Sequence, residues 1–178
     1  MWRLVALLVP FAAFVSCSKP THHTPHMTTN RTAAGTPDAT GWYPAHSDGG
    51  KFGVLLPGPY NDLTATEPND RTGAPLTVQI VGTQFVTGVK YMAACAWGGT
   101  DSGELLDTYG ENMPVTSRRE LTVDGHRAVE LKLGTVGLKR AIGYDDHVCT
   151  LTVESQGNKV PISEPDALKM FDSFKPDK

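Results

Sequence analysis

In the run FGVLL, Phe52, Val54 and Leu56 take every second position, and a period of two puts their side chains on one face of a strand. Pro57-Gly58-Pro59 ends that strand, because proline has no N–H to donate to a ladder. The cluster Pro68-Asn69-Asp70-Arg71-Thr72-Gly73 marks a turn. Beyond it, Leu76 to Val81, Phe85 with Val86, and Val89 to Trp97 read as strands, with a break at Gly82. Asp124-Gly125 then stands between two apolar-rich runs, the strongest hairpin signal in the chain. A two-residue turn there sets Val123 opposite His126 and Leu121 opposite Ala128, leaving Val129, Leu131 and Leu133 on the other face. Either a bulge resets the register or both faces of the sheet are covered. A last pair of strands runs through LKRAIGYDDHVCTLTVES and bends at Asp145-Asp146.

Two stretches switch to helical spacing. Asp101 and Glu104 have the separation of a capping box, and Leu105, Leu106 and Tyr109 share one side of the helix they introduce. Asp101-Ser102-Gly103 also has the look of a serine-nucleophile loop. That chemistry needs a histidine base held by a carboxylate and a larger scaffold, and no G-x-S-x-G elbow is present, so helix capping accounts for the aspartate. Near the C-terminus, Ser163-Glu164-Pro165 opens a second helix whose apolar face is Leu168, Phe171 and Phe174. The expected layout is a sheet with helices at its middle and at its end.

The N-terminus carries an address. One charge, Arg3, precedes an apolar stretch from Leu4 to Val15, shorter than the about 20 residues that cross a bilayer, which predicts a signal peptide over residues 1–16. Phe14-Val15-Ser16-Cys17 resembles a bacterial lipobox, so Cys17 is the expected lipidation site and the new N-terminus. Several acyl chains at about 0.8 kcal/mol per buried methylene make such an anchor effectively permanent. Ser18, where aspartate would suggest inner-membrane retention, points to the outer membrane if the cell has two. Residues 17–41, rich in Thr, Pro and small polar side chains, are expected to form a disordered tether. It would reach about 70 Å as polyproline or about 25–30 Å as a coil. His22, His23 and His26 offer imidazoles for a metal, but no carboxylate or thiol joins them, and no metal site is expected. Asn30-Arg31-Thr32 is a sequon that a bacterial lipoprotein normally leaves unmodified.

Size and charge narrow the partners. A chain of 178 residues with 39% hydrophobic side chains supports one core, placed at residues 42–178. Sixteen Lys plus Arg against nineteen Asp plus Glu leave a net charge of -3, which excludes the basic excess of nucleic-acid binders. There are three cysteines. With Cys17 consumed by lipid, Cys95 and Cys149 remain in an oxidising compartment, each in phase with core-facing positions of a strand. They are expected to form a disulfide, which needs their strands adjacent and in register; the alternative is two buried thiols acting as small hydrophobes.

GGKFGVLLPG, the strand YMAACAW, the hairpin ELTVDGHRAVELKL, the strand HVCTLTVES and the ending ALKMFDSFKP, in that order, resemble the PsbP-like fold, named for an extrinsic subunit of the photosynthetic oxygen-evolving complex. The resemblance spans about residues 43–176 and implies an α+β class: an antiparallel sheet covered by helices, an α-β-α sandwich. It places an aromatic where Cys149 stands, a departure that a paired change at Cys95 and Cys149 explains. Many bacterial members of this family are envelope lipoproteins of unassigned role, and the resemblance implies binding or assembly duties more often than catalysis, with no catalytic residues and no cofactor to carry over. The expected function is a non-enzymatic cell-envelope module, held to the membrane by lipid and binding an envelope protein or a small ligand. The competing readings are an envelope enzyme built around His126, Asp145, Asp146 and His147, and metal handling by the histidines of the tether.

Overall fold

The computed structural model describes residues 25–69, 73–83, 88–99 and 101–177. In chain order its strands are β1 (His26–Ala34), β2 (Tyr43–Ser47), β3 (Phe52–Leu56), β4 (Tyr60–Pro68), β5 (Pro75–Thr83), β6 (Val89–Trp97), β7 (Ser117–Val123), β8 (His126–Lys132), β9 (Gly137–Gly143), β10 (His147–Ser155) and β11 (Lys175–Pro176). Helix α1 (Ser102–Thr108) falls between β6 and β7, and α2 (Glu164–Ser173) precedes β11. Eight strands form one sheet in the order β1-β4-β5-β6-β10-β9-β8-β7, and β11-β3-β2 form a second. All the pairings are antiparallel.

This architecture corrects the expected fold class. Strand takes 54% of the described residues and helix 13%, so the molecule is β-rich, not an α-β-α sandwich with a sheet covered by helices. The reason is length. Helix α1 has seven residues and α2 ten, enough to cap patches but not to roof eight strands. The alternation of Phe52, Val54 and Leu56 instead builds a small second sheet that turns those three inward. They join Val81, Ala93, Leu151 and Phe171 in the main core, so one face of the large sheet, here the inner face, is closed by the second sheet and α2 together. On the outer face, α1 closes Val129, Leu131 and Ala141, while Ala65, Val78, Ile80 and Ala94 form a separate cluster. Both faces of β8 are therefore covered, and the hairpin keeps its two-residue turn without a bulge, with Val123 opposite His126 and Leu121 opposite Ala128.

The helix caps form as the sequence predicts. Asp101 accepts from the N–H groups of Gly103 and Glu104, and Ser163 accepts from that of Asp166. The tether does not match its expected form throughout, since His26–Ala34 is an edge strand paired with β4. Its burial is slight, and what fixes it is polar: Asn30 Nδ2 donates to Asp62 Oδ1 and to Thr64 Oγ1 at 3.3 and 3.0 Å, and Arg31 pairs with Asp48. Low hydrophobicity argued for disorder, but a ladder supplies backbone bonds that composition does not reveal. Cys17, His22, His23 and the signal segment lie outside the described residues.

Gly98 ends β6 with φ of +81°, and a Cβ there would sit 2.3 Å from the Pro75 carbonyl oxygen. Gly98→Ala combines a left-handed backbone with a backbone clash. It is expected to cost about 2–4 kcal/mol, read as a lowered urea midpoint at unchanged m.

Candidate functional site

Three transverse rows cross the inner face of the large sheet, each set by the strand register. The first joins Asp62, Val81, Ala93, Leu151, Arg140, Glu130 and Arg119. The second, two residues along, joins Gln79, Cys95, Cys149, Ile142, Ala128 and Leu121. The third places Thr77, Trp97 and His147 together, with His126 opposite Val123 at the far side and Tyr144 in the bend between β9 and β10. One row is charged, one is covalent and one is aromatic.

In the aromatic row, His147 is sandwiched. Its ring stacks on Trp97 at 4.9 Å with 20° between planes and on Tyr144 at 4.5 Å with 7°. His126 meets the other side of Tyr144 at 4.4 Å, tilted by 49°. Such contacts contribute about 0.5–1.5 kcal/mol each beyond area burial. Asp146 Oδ1 lies 2.6 Å from His147 Nδ1, and that hydrogen bond holds the carboxyl below its usual range. An ionised Asp146 accepts from Nδ1–H, which leaves the lone pair on Nε2. Burial, with a smaller effect from Asp124, pushes the Tyr144 phenol up to about 12, so it stays protonated at neutral pH.

His126, Asp146 and His147 are thus brought together, whereas Asp145 sits exposed in the bend beside them. The sequence reading missed Trp97 and Tyr144 as members of this group. Trp97 was readable, since its phase along β6 matches Cys95, but its stacking on His147 depends on the pairing of β6 with β10. Ser102 lies on the opposite face against Gly143, away from both histidines, so its position agrees with helix capping and not with a nucleophile. His26 is exposed on β1.

The covalent row confirms the cysteine pair. Cys95 and Cys149 are directly opposed on β6 and β10 and joined by a disulfide, with Cα atoms 4.0 Å apart and both residues 1% exposed. The close class of antiparallel pairs brings Cα atoms to about 4.5 Å, which is why two strand neighbours can be bridged here.

In the charged row, Glu130 lies between two guanidinium groups. Its Oε1 accepts from Arg119 Nε at 2.8 Å, and its Oε2 accepts from Arg140 Nε and Nη2 at 3.0 and 2.7 Å. Arg140 also donates from Nη1 to Asp172 at 3.2 Å and lies over the Phe171 ring at 5.1 Å. A cavity of about 280 Å³ opens beside this row, lined by Arg119, Glu130, Lys132, Leu138, Glu164 and neighbours, and one of about 140 Å³ adjoins it. Both lie at the opposite end of β8 and β9 from the histidines.

A fourth polar group ties the termini of the fold. His46 places Nδ1 2.9 Å from Asp48 and Nε2 3.0 Å from Asp177, and these bonds, Asp177 first, hold its pKa above the usual imidazole range. A raised folded-state pKa stabilises below the ordinary value of about 6.5, and that contribution disappears as pH rises through the folded value. With His46 43% exposed, solvent screens the effect, so its expected readout is local. Asp177→Asn should return the His46 titration toward the ordinary range by NMR, and amide exchange at Lys175 and Pro176's neighbours should quicken as pH rises through that titration.

No family model matches this chain, and neither the curated proteins nor the solved structures contain a match to it.

Proposed function

We propose that this protein is a non-enzymatic cell-envelope lipoprotein, anchored at Cys17, that serves as a binding or assembly module. The observation that carries the reading is the outer face of β4, β5 and β6, where Ala65, Val78, Ile80 and Ala94 are rimmed by half-buried Leu63, Leu76, Met92 and Ala96. The two helices pack elsewhere, α1 on β9 and α2 on β3 and β9, and Met27 stands 47% exposed at the strip's edge on β1. The four central side chains are themselves only 3–6% exposed, so what a partner would meet is the half-buried rim together with Met27, and apolar side chains grouped at a surface favour a partner there. Leu63→Glu and Met92→Lys should lower co-purification of the envelope partner while leaving the thermal midpoint close to wild type. Equal recovery from both variants would exclude this face.

The anchor sets where that face works. Eight residues, 18–25, separate Cys17 from β1, a covalent reach of about 30 Å at most. Cys17→Ser is expected to move the protein from the membrane to the soluble fraction on cell fractionation. Mature wild-type protein carrying no lipid by mass would end the lipoprotein reading.

The enzymatic reading around His126, Asp145, Asp146 and His147 has one observation in its favour, the Asp146–His147 hydrogen bond, which resembles an oriented base. A general base acts on a group within about 2.6–3.2 Å. Here the faces of His147 are filled by Trp97 and Tyr144, which suits a structural stack better. Turnover on an ester, peptide or glycoside panel that His147→Ala abolishes would reverse the preference.

A further inference from the structure

We propose that the dithiol form of this protein binds one thiophilic metal ion, a Cu(I) or Zn(II) cation, through Cys95 Sγ, Cys149 Sγ and the His147 imidazole. The two sulfurs and a ring nitrogen of His147 all lie within 4.8 Å of one another. A trigonal or tetrahedral ion with bonds of about 2.3 Å to sulfur and about 2.0 Å to nitrogen needs donors about 3.5–4 Å apart, a spacing within reach of side-chain rotation alone. Strand register produces the cluster: Cys95 opposes Cys149, and His147 precedes Cys149 by two residues, so all three side chains leave the sheet on the same face.

Three features make it a built site. The imidazole is clamped between Trp97 and Tyr144, which fixes its plane before any ion arrives. Asp146 holds Nδ1 at 2.6 Å, the carboxylate partner that metal-binding histidines commonly have, and leaves Nε2 to coordinate. The cysteines are 1% exposed and the His147 side chain is 16% exposed, so the ion and any water completing its coordination would enter past the histidine edge. Soft thiolates select Cu(I) and Zn(II) over hard cations, and three donors suit trigonal Cu(I) or Zn(II) completed by water.

The chemistry balances with a dithiol reductant. Exchange breaks the Cys95–Cys149 bond, the reductant's sulfurs end joined in its own disulfide, and its two protons and two electrons pass to the cysteines as thiols. The metal ion then displaces both thiol protons on binding. The disulfide form has no thiolate to offer, so occupancy reports the redox state of the pair.

The test uses the full chain carrying Cys17→Ser, so that no third thiol competes, reduced with a phosphine and offered Cu(I) or Zn(II) against a chromogenic chelator. One ion per chain is expected in the dithiol form and none in the disulfide form, with two sulfurs and one nitrogen around the ion by X-ray absorption. His147→Ala should weaken binding by well over tenfold and Asp146→Asn by about tenfold. If the dithiol chain loses its fold without metal, one equivalent of ion should restore its circular dichroism. The proposal is overturned by no uptake in the dithiol form, by uptake equal to that of Cys95→Ser/Cys149→Ser, by unchanged affinity in His147→Ala, or by failure of the ion to restore a lost fold.

Discussion

Glu130→Ala is expected to lower stability by about 3–5 kcal/mol, because it strands the Arg140 guanidinium in the core. Arg140 and Glu130 have side chains only 6% and 7% exposed, and the one other carboxylate bonded to Arg140 among the described residues, Asp172, is 70% exposed. The loss comes from an uncompensated buried charge and not from the pair's own attraction, and a second variant separates the two. Replacing both residues with apolar ones of similar volume, Glu130→Leu with Arg140→Met, should recover most of the loss, since buried pairs often break even against hydrophobic isosteres. Urea unfolding of the single and double variants measures both. A single-variant loss below about 1 kcal/mol would show that water reaches Arg140 in solution. Arg119→Ala should cost less, because that side chain is 61% exposed and can be replaced by solvent.

Removing the disulfide is the second large effect. In the chain-entropy model, a bridge spanning 54 residues stabilises the fold by about 4 kcal/mol. For a domain of this size that corresponds to about 8–16 °C in thermal midpoint. Cys95→Ala/Cys149→Ala is expected to show that drop, with additional loss from the void left beneath Trp97 and His147. The same comparison made by reduction alone keeps both sulfurs in place and isolates the loop-closure part. Thiol titration of unfolded, unreduced mature protein should find neither Cys95 nor Cys149 free.

Part of this molecule is determined within a few residues of sequence. The Asp124-Gly125 turn, the Asp101 and Ser163 caps and the alternation of Phe52, Val54 and Leu56 are local, because a turn, a cap or a strand face depends on neighbours no more than four positions away. The disulfide is intermediate. Cysteine count and phase suggested it, but bridging required β6 and β10 to be neighbours, which no local pattern specifies. The fold class was misjudged for the same reason: helical spacing at α1 and α2 was real, but which layer closes the inner face depends on where β3 travels after its turn. β1 was missed because its residues bury little, and its order comes from bonds to β4 that lie about 30 positions away in the chain. The aromatic, covalent and charged rows exist only once eight strands are in register, since each row draws its members from different strands. Sequence determined the turns, caps and strand faces, where the interacting atoms are close along the backbone. Tertiary structure alone decided that His147 lies between Trp97 and Tyr144, beside two sulfurs, because those contacts join segments that loop closure must first bring together.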